Sequence, residues 1–446
     1  MTVEVKAEAT FVEKAEELET TTEMENVNVS EGPKGVEKSS SYREESNFLS
    51  DLNENEKKAL IELKTKLEDA ILNNTIFKKA SKESQKKEKE TEEDEAEGAN
   101  DGEEVDENIS IWGVPLLPSK GEDRTNVVLL KFLRARDFKV NEALEMLKKT
   151  LIWRKEFKTD SILDEDFGSD LSQAAYISGL DREGHPICYN IFGYFDDDEK
   201  KKKLQNLVKW RVHLMERGIQ KLDFQPGGVT SLLQINDLNN SPGPTNKDVR
   251  IATKKIVALL QDNYPEFVAK NIFINVPFWY YAFQSIMSPF LTSRTKSKFV
   301  FARPAKVTET LLKYVPIHEI PTQYGGMKKE GDLEFYANET EPSETLINAG
   351  STEIIEIPML EVGKTTMWEV LVLNWDVKYK EEFVPTDESS YTVIVQKEKK
   401  INNTNDAPIH NTFKNQEAGK IVLTIHNCSS KNKKAFVRHK IQKICQ

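Results

Sequence analysis

The densest apolar pattern in the chain lies between Asn263 and Ala302. Two short runs, Ile272–Val276 and Lys298–Ala302, read as buried strands. Between them Phe283, Ile286, Met287 and Phe290 recur at i, i+3, i+4 and i+7, which predicts a helix. Trp279, Tyr280 and Tyr281 precede it and Leu291 follows. Apolar residues therefore cover more than the ~100° stripe that one core-facing surface requires. Such a helix must bury its second side, either inside an ordinary α/β core or against a ligand such as a lipid chain.

The same pattern divides the rest of the chain. Leu129, Leu130, Phe132 and Leu133 make one helical face. Asn141 can cap a second helix whose inner face is Leu144, Leu147 and Leu151. Folding is expected to begin near Ile109–Trp112. Candidate strands Ile187–Phe192 and Ser231–Asp237 alternate with helices Lys203–Leu222 and Lys247–Asn263, which predicts a parallel or mixed α/β sheet. Gly331–Pro342 reads as a linker. Beyond it Glu353–Ile357, Met367–Tyr379, Ser390–Gln396, Lys420–His426 and Ala435–Ile441 are strand-like, with Leu371, Leu373, Trp375, Val377 and Tyr379 at period two. That is an all-β sandwich pattern. The expected organisation is multidomain: residues 1–107 a mostly disordered acidic tail, 108–160 an α-helical cap, 170–330 an α/β domain and 340–446 an all-β sandwich. Within the tail, Phe48, Leu52, Leu60, Leu63, Leu67 and Ile71 mark one marginal amphipathic helix over residues 46–80. It reads either as nascent helix or as a docking segment.

Charge sharpens the division. Residues 1–107 hold 31 Asp and Glu against 15 Lys and Arg, a net of −16, whereas the remaining residues carry 43 acidic and 47 basic side chains. The whole-chain charge of −12 thus describes the tail, and the rest suits an anionic membrane surface. Residues 429–446 contain Lys431, Lys433, Lys434, Arg438, Lys440 and Lys443 and no acid. They are expected to form a membrane-surface patch; no nucleic-acid motif or aromatic interleaving accompanies them. Cys188, Cys428 and Cys445 are too few for a disulfide framework and fit a reducing compartment. No signal-peptide pattern opens the chain and no apolar run approaches the ~20 residues of a membrane span. The expectation is a cytoplasmic protein that meets membranes peripherally.

The sequence has no GxSxG elbow, phosphate loop, HExxH or GxGxxG. His213 and Glu216 do not complete a metal site and read as a surface or interface pair; Asp237 reads as orienting its following loop. No enzyme, metal or cofactor is expected beyond a bound lipid.

Several strings change the weighting. Tyr264–Glu266 (YPE), Asn275–Phe278 (NVPF), Pro289–Leu291 (PFL) and Ser297–Phe301 (SKFVF) resemble the lipid-binding CRAL-TRIO family. Leu129–Phe157, with FLRAR at Phe132–Arg136, resembles its N-terminal helical region, and Ile320–Gly326 (IPTQYGG) its end. The string WEVLVLNWDVKYKEEF and the acidic tail resemble plant patellins, in which a GOLD domain follows the CRAL-TRIO domain. The resemblance implies that Phe283, Ile286, Met287 and Phe290 belong to a lipid gate, with Pro277 and Pro289 at its boundaries. It implies a head-group site of Arg136, Glu266 and Lys298. Asp137, where phosphatidylinositol binders are often basic, opposes an inositide, and Leu232 and Gln234 replace hydroxyl residues of phosphatidylcholine-transferring members. The implied function is a carrier for phosphoinositides or similar ligands in vesicle trafficking, including delivery to the cell plate in cytokinesis. The alternative is a GOLD-centred adaptor that docks trafficking proteins and uses lipid as a sensor.

Overall fold

The computed structural model describes residues 44–77, 108–118, 123–195, 204–241, 247–277, 297–329, 341–402 and 408–442. The gate residues Phe283, Ile286, Met287 and Phe290, and Lys443 of the basic end, lie outside them. The chain divides into two compact units: residues 1–178 with 184–303, and residues 179–183 with 304–446.

The first unit begins earlier than the sequence pattern suggests. Helix α1 (Glu54–Leu72) is opened by a capping box, in which Asn53 accepts from the Glu56 amide and Glu56 accepts from the Asn53 amide. Its stripe of Leu60, Leu63, Leu67 and Ile71 is buried in one core with Val127, Leu130, Leu133 and Leu147. The boundary expected near residue 108 is therefore corrected. An isolated stripe looks marginal because its covering surface lies some way along the sequence. A short hairpin, β1 (Ser110–Ile111) and β2 (Val114–Pro115), delivers Trp112 into that core. Trp112 stacks near Phe132, Phe224 and Tyr264 and meets Phe267 edge-on at 4.6 Å between ring centroids. Helices α2 (Asp123–Arg134) and α3 (Val140–Phe157) complete the cap. Between them Asp137 and Phe138 adopt left-handed φ of 49° and 58°, which stops the first helix and turns the chain into the second.

Strands β3 (Ala175–Leu180), β4 (Pro186–Ile191), β5 (Leu232–Asp237), β6 (Val268–Ile274) and β7 (Phe299–Phe301) form one sheet in sequential order, with β4 to β7 parallel. Helices α4 (Leu204–Ile219) and α5 (Lys247–Asn263) make the crossovers. One sheet face carries Tyr189, Leu233, Ile235, Ile272 and Ile274, all fully buried. The other meets α4 through a polar set, in which the Asn190 amide donates to Gln234 and Asn236 and Arg211 donates to Asn190.

The second unit opens with helix α6 (Val307–Leu311) and ends in two four-stranded antiparallel sheets. Its strands are β8 (Ser343–Ile347), β9 (Thr352–Met359), β10 (Thr365–Val372), β11 (Val377–Pro385), β12 (Val393–Ile401), β13 (Ile409–Lys414), β14 (Gly419–Asn427) and β15 (Lys433–Gln442). The orders are β13-β10-β15-β8 and β12-β11-β14-β9. The run read as one strand over Met367–Tyr379 is two strands in different sheets. Asn374 and Asp376, at φ 56° and 63°, fold the chain over between them, while Trp375 stays buried. The period-two pattern survives the corner, so it could not reveal it.

Candidate functional site

Lys131 and Arg134 are three residues apart on α2, so they share one helix face. Both are buried. Lys131 Nζ donates to the Thr230 and Glu266 carbonyl oxygens, 2.7 Å each, and lies 4.3 Å from the centroid of Phe267. This side chain thus ties the cap to two loops of the sheet. Burial pushes its pKa down to about 7, against the opposing pull of the Glu44 and Glu266 carboxylates.

Glu266 sits at φ 52°, the left-handed region, as the last residue of the Tyr-Pro-Glu string. That conformation turns its carbonyl to Lys131 while its carboxylate accepts from Lys298 Nζ at 3.1 Å. The Lys298 side chain is 6% exposed and that of Glu266 15%, so this is a buried pair. Tyr264 of the same string donates to Glu216 Oε1 at 2.5 Å, and Arg154 Nη1 reaches the same oxygen at 2.6 Å. His213 Nδ1 lies 2.8 Å from the Ile162 carbonyl oxygen. Of the surface or interface positions that their spacing suggests, His213 and Glu216 take the interface: each makes a separate buried contact to another element. Asp237 accepts from the Asn239 amide at 2.9 Å and from Asn275 Nδ2 at 2.7 Å, which orients the loop after β5.

The chain's own residues 44–47 complete the cluster. Arg134 Nη1 donates to Asn47 Oδ1 and Nη2 to the Ser46 carbonyl oxygen, both at 2.6 Å, and Nε is 2.8 Å from Glu45 Oε2. Glu44 accepts from Ser231 Oγ, and its Oε2 is 3.0 Å from His185 Nε2. Burial pushes the Glu44 carboxyl up, but the hydrogen bonds from His185 and Ser231, with the His185 and Lys131 charges, outweigh it and hold its pKa at about 2. A cleft of about 20 Å³, room for roughly one water, remains among Glu44, Glu45, Asn47, Lys131, Arg134, Thr230 and Glu266.

Of the expected head-group residues, the structure brings Glu266 and Lys298 together. Arg136 lies past the end of α2, half-buried, and donates to the Ala135 carbonyl oxygen at 2.9 Å. Asp137 is exposed. The basic end needs correction. Arg438 is buried on β15 and donates through Nε and Nη2 to Glu369 Oε2 at 2.8 and 2.6 Å; Nη2 also donates to the Met327 carbonyl oxygen. Strand alternation puts this arginine beside Glu369 on the face turned away from the other sheet, where the Met327 carbonyl and Lys329 cover the pair, so it is an internal ion pair rather than part of a surface patch. Lys434 is exposed but pairs with Glu344 of β8 at 2.5 Å, and Lys433 donates to the Asn374 carbonyl oxygen. Lys431 is exposed and Lys440 half-buried.

Sequence reasoning missed Lys131, Arg134, His185, Ser231 and Glu44. The first two carried a signal, a pair of cations at i, i+3 in the apolar second half of a helix. Glu44 carried none, being one acid among many in an acidic stretch. Among the described residues, no three His, Cys, Asp or Glu side chains are placed to hold a metal ion, and no helix is long and apolar enough to cross a membrane.

Three family descriptions match the chain: CRAL/TRIO N-terminal domain over residues 59–149, CRAL/TRIO domain over 171–326 and Patellin-1-like C-terminal GOLD domain over 348–434. Patellin-4 of Arabidopsis thaliana is 48% identical over 99% of this chain and 99% of its own length. Patellin-3 of the same plant is 42% identical over 90% of this chain and 78% of its own. A Kluyveromyces lactis protein named phosphatidylinositol transfer protein SFH5 is 31% identical over 45% of this chain and 67% of its own. Among solved structures, Sfh5 aligns with a TM-score of 0.45 at 20% identity, covering 58% of this chain and 84% of that one.

Proposed function

This chain belongs to the patellin family, and from that membership we propose that it is a carrier that binds a phosphoinositide or similar hydrophobic ligand and transfers or presents it at membranes. The observation that carries the reading is the buried Glu266–Lys298 pair beside Lys131 and Arg134, next to a sheet with Tyr189, Leu233, Ile235, Ile272 and Ile274 buried on one face. Cations support an inositol phosphate, and the glutamate keeps them oriented and charged. The fungal relative named as a phosphatidylinositol transfer protein supports the same ligand class. Arg136, Glu266 and Lys298 are assigned to the head group in this reading, and Phe283, Ile286, Met287 and Phe290 to the gate. The lipid is cargo: no cofactor and no turnover is involved. The protein works at the cytoplasmic surface of membranes in vesicle trafficking, including the forming cell plate.

The test is transfer of labelled phosphatidylinositol between donor and acceptor vesicles. Lys298→Ala lowers the rate on the order of tenfold, the worth of one charge-assisted hydrogen bond. Transfer by the unaltered protein at the rate of a protein-free control defeats the reading. The adaptor reading draws support from Tyr391, Val393 and Ile394, which stand exposed at the free edge of the second sheet. An adaptor retains its partners after Lys298→Ala and loses them when residues 340–446 are removed.

A further inference from the structure

Residues 44–47 sit on a site built for an anion. Arg134, His185, Ser231 and Lys131 are each at least nine-tenths buried: His185 and Ser231 reach Glu44, Arg134 reaches Glu45, Ser46 and Asn47, and Lys131, whose Nζ donates to the Thr230 and Glu266 carbonyl oxygens, lines with Arg134 the cleft that this segment occupies. What fills it is two carboxylates, Glu44 and Glu45, with one backbone carbonyl and one amide oxygen. Two carboxylates together carry about the charge of one phosphomonoester, and a guanidinium fork accepts either group in the same planar geometry. The occupants are held less deeply than the cradle: the Glu44 and Glu45 side chains are 34% and 44% exposed. Because the Glu44 carboxyl stays ionised far below neutrality, a competing anion, not a proton, is what displaces it.

We propose that Lys131, Arg134, His185 and Ser231 form a binding site for a phosphomonoester on an inositol ring, and that the Glu44–Asn47 segment occupies it as an internal mimic that the ligand must displace. This site is distinct from the Glu266–Lys298 pair, although Lys131 touches both loops. It selects head groups with a phosphate beyond the one that bridges to glycerol. The anion chemistry stands on the geometry alone; that the phosphate belongs to a lipid rests on the carrier reading above. Displacement also frees the half-exposed Phe48 from its contact at Gly227, where its ring lies 3.2 Å from the place a Cβ would take, so ligand binding loosens the approach to α1.

The test uses the full chain and a Glu44→Gln, Glu45→Gln double variant. The probes are inositol 1,4,5-trisphosphate in solution, vesicles with and without a phosphorylated phosphoinositide, and inorganic phosphate. The double variant binds the trisphosphate and the phosphoinositide vesicles about tenfold more tightly, because a site mostly occupied by its own segment has its apparent affinity cut by the free fraction. Arg134→Ala in that background removes the gain. A second measurement needs no variant: saturating trisphosphate raises amide hydrogen exchange across residues 44–53 of the unaltered chain. Unchanged affinity in the double variant, or exchange that stays equal or falls on saturation, overturns the proposal. A gain for vesicles without one for the trisphosphate also overturns it, since the released segment would then act on the membrane and not on the phosphate. Tighter trisphosphate binding together with absent lipid transfer upholds this site and defeats the carrier reading. Normal transfer with unchanged trisphosphate affinity does the reverse.

Discussion

Lys131 is the residue on which the cap and the sheet both depend. Its ammonium exchanges water for two carbonyl oxygens, at a desolvation cost that shows as a pKa of about 7. A lysine released by unfolding returns to its usual value near 10.5. Between those two values the unfolded chain binds more protons than the folded one, so stability rises with pH across that window and is lowest, in this contribution, below about 7. Unfolding in urea at pH 7 and pH 9.5 should show the gain, and Lys131→Met should flatten it. Glu266 makes a different demand on the same site. Its left-handed backbone costs about 1 kcal/mol, and the pairing with Lys298 keeps it there.

At the scale of elements, α1 is the clearest case of a helix made by its surroundings. Leu63 and Leu67 are completely buried, and their partners come from the cap helices. Leu63→Ala should cost about 2–5 kcal/mol, read as a lowered urea midpoint with an unchanged slope. A chain lacking residues 1–43 should melt near the full chain, whereas one lacking 1–107 should unfold well below it. β15 behaves in the opposite way to its composition. Its cations look like a surface patch, yet the alternation of the strand sends Arg438 to a carboxylate that is 1% exposed. Arg438→Ala should therefore destabilise the sandwich by about 3–5 kcal/mol, because Glu369 loses a buried counter-ion. Lys431→Ala with Lys433→Ala should leave the melting temperature alone. Flotation with anionic vesicles is the check: each exposed lysine that reaches the surface contributes about 1 kcal/mol, and adding salt should erase the difference.

For the whole molecule, the useful division is that of charge and of compact units. The acidic excess belongs to residues 1–107, while residues 108–446 are mildly basic. The segment that ends the CRAL/TRIO match, up to residue 326, falls in the same unit as the sandwich. Within that unit the Met327 carbonyl oxygen accepts from Arg438, and Lys329 pairs with Glu369. A hydrogen bond and an ion pair therefore tie the residues just past the CRAL/TRIO match to the sandwich. Cutting the chain between residues 303 and 340 separates partners that this unit holds together, so an isolated sandwich starting at residue 340 should be less stable than one starting at 304. Melting the two fragments side by side decides it.

Local pattern alone determined much of this protein. Alternation and helical spacing located α5 to the residue, placed β4, β5, β9 and β14 within a residue or two at most ends, and separated an α/β region from an all-β one. Those signals are legible because one face of each element is apolar over its own length. Glu266 and Lys298 came instead from the family resemblance of the YPE and SKFVF strings, and each stands just before a strand of one sheet. Tertiary structure decided what depends on distant partners. It buried Lys131 and Arg134 and left Arg136 half-buried past the end of α2, and it turned one apparent strand into strands of two sheets at Asn374 and Asp376. It buried Arg438 and seated Glu44 beside His185. Composition assigns a charge to a segment, but only the fold decides which opposite charge will be within 3 Å of it, because that pairing is set by the packing of elements far apart in the chain.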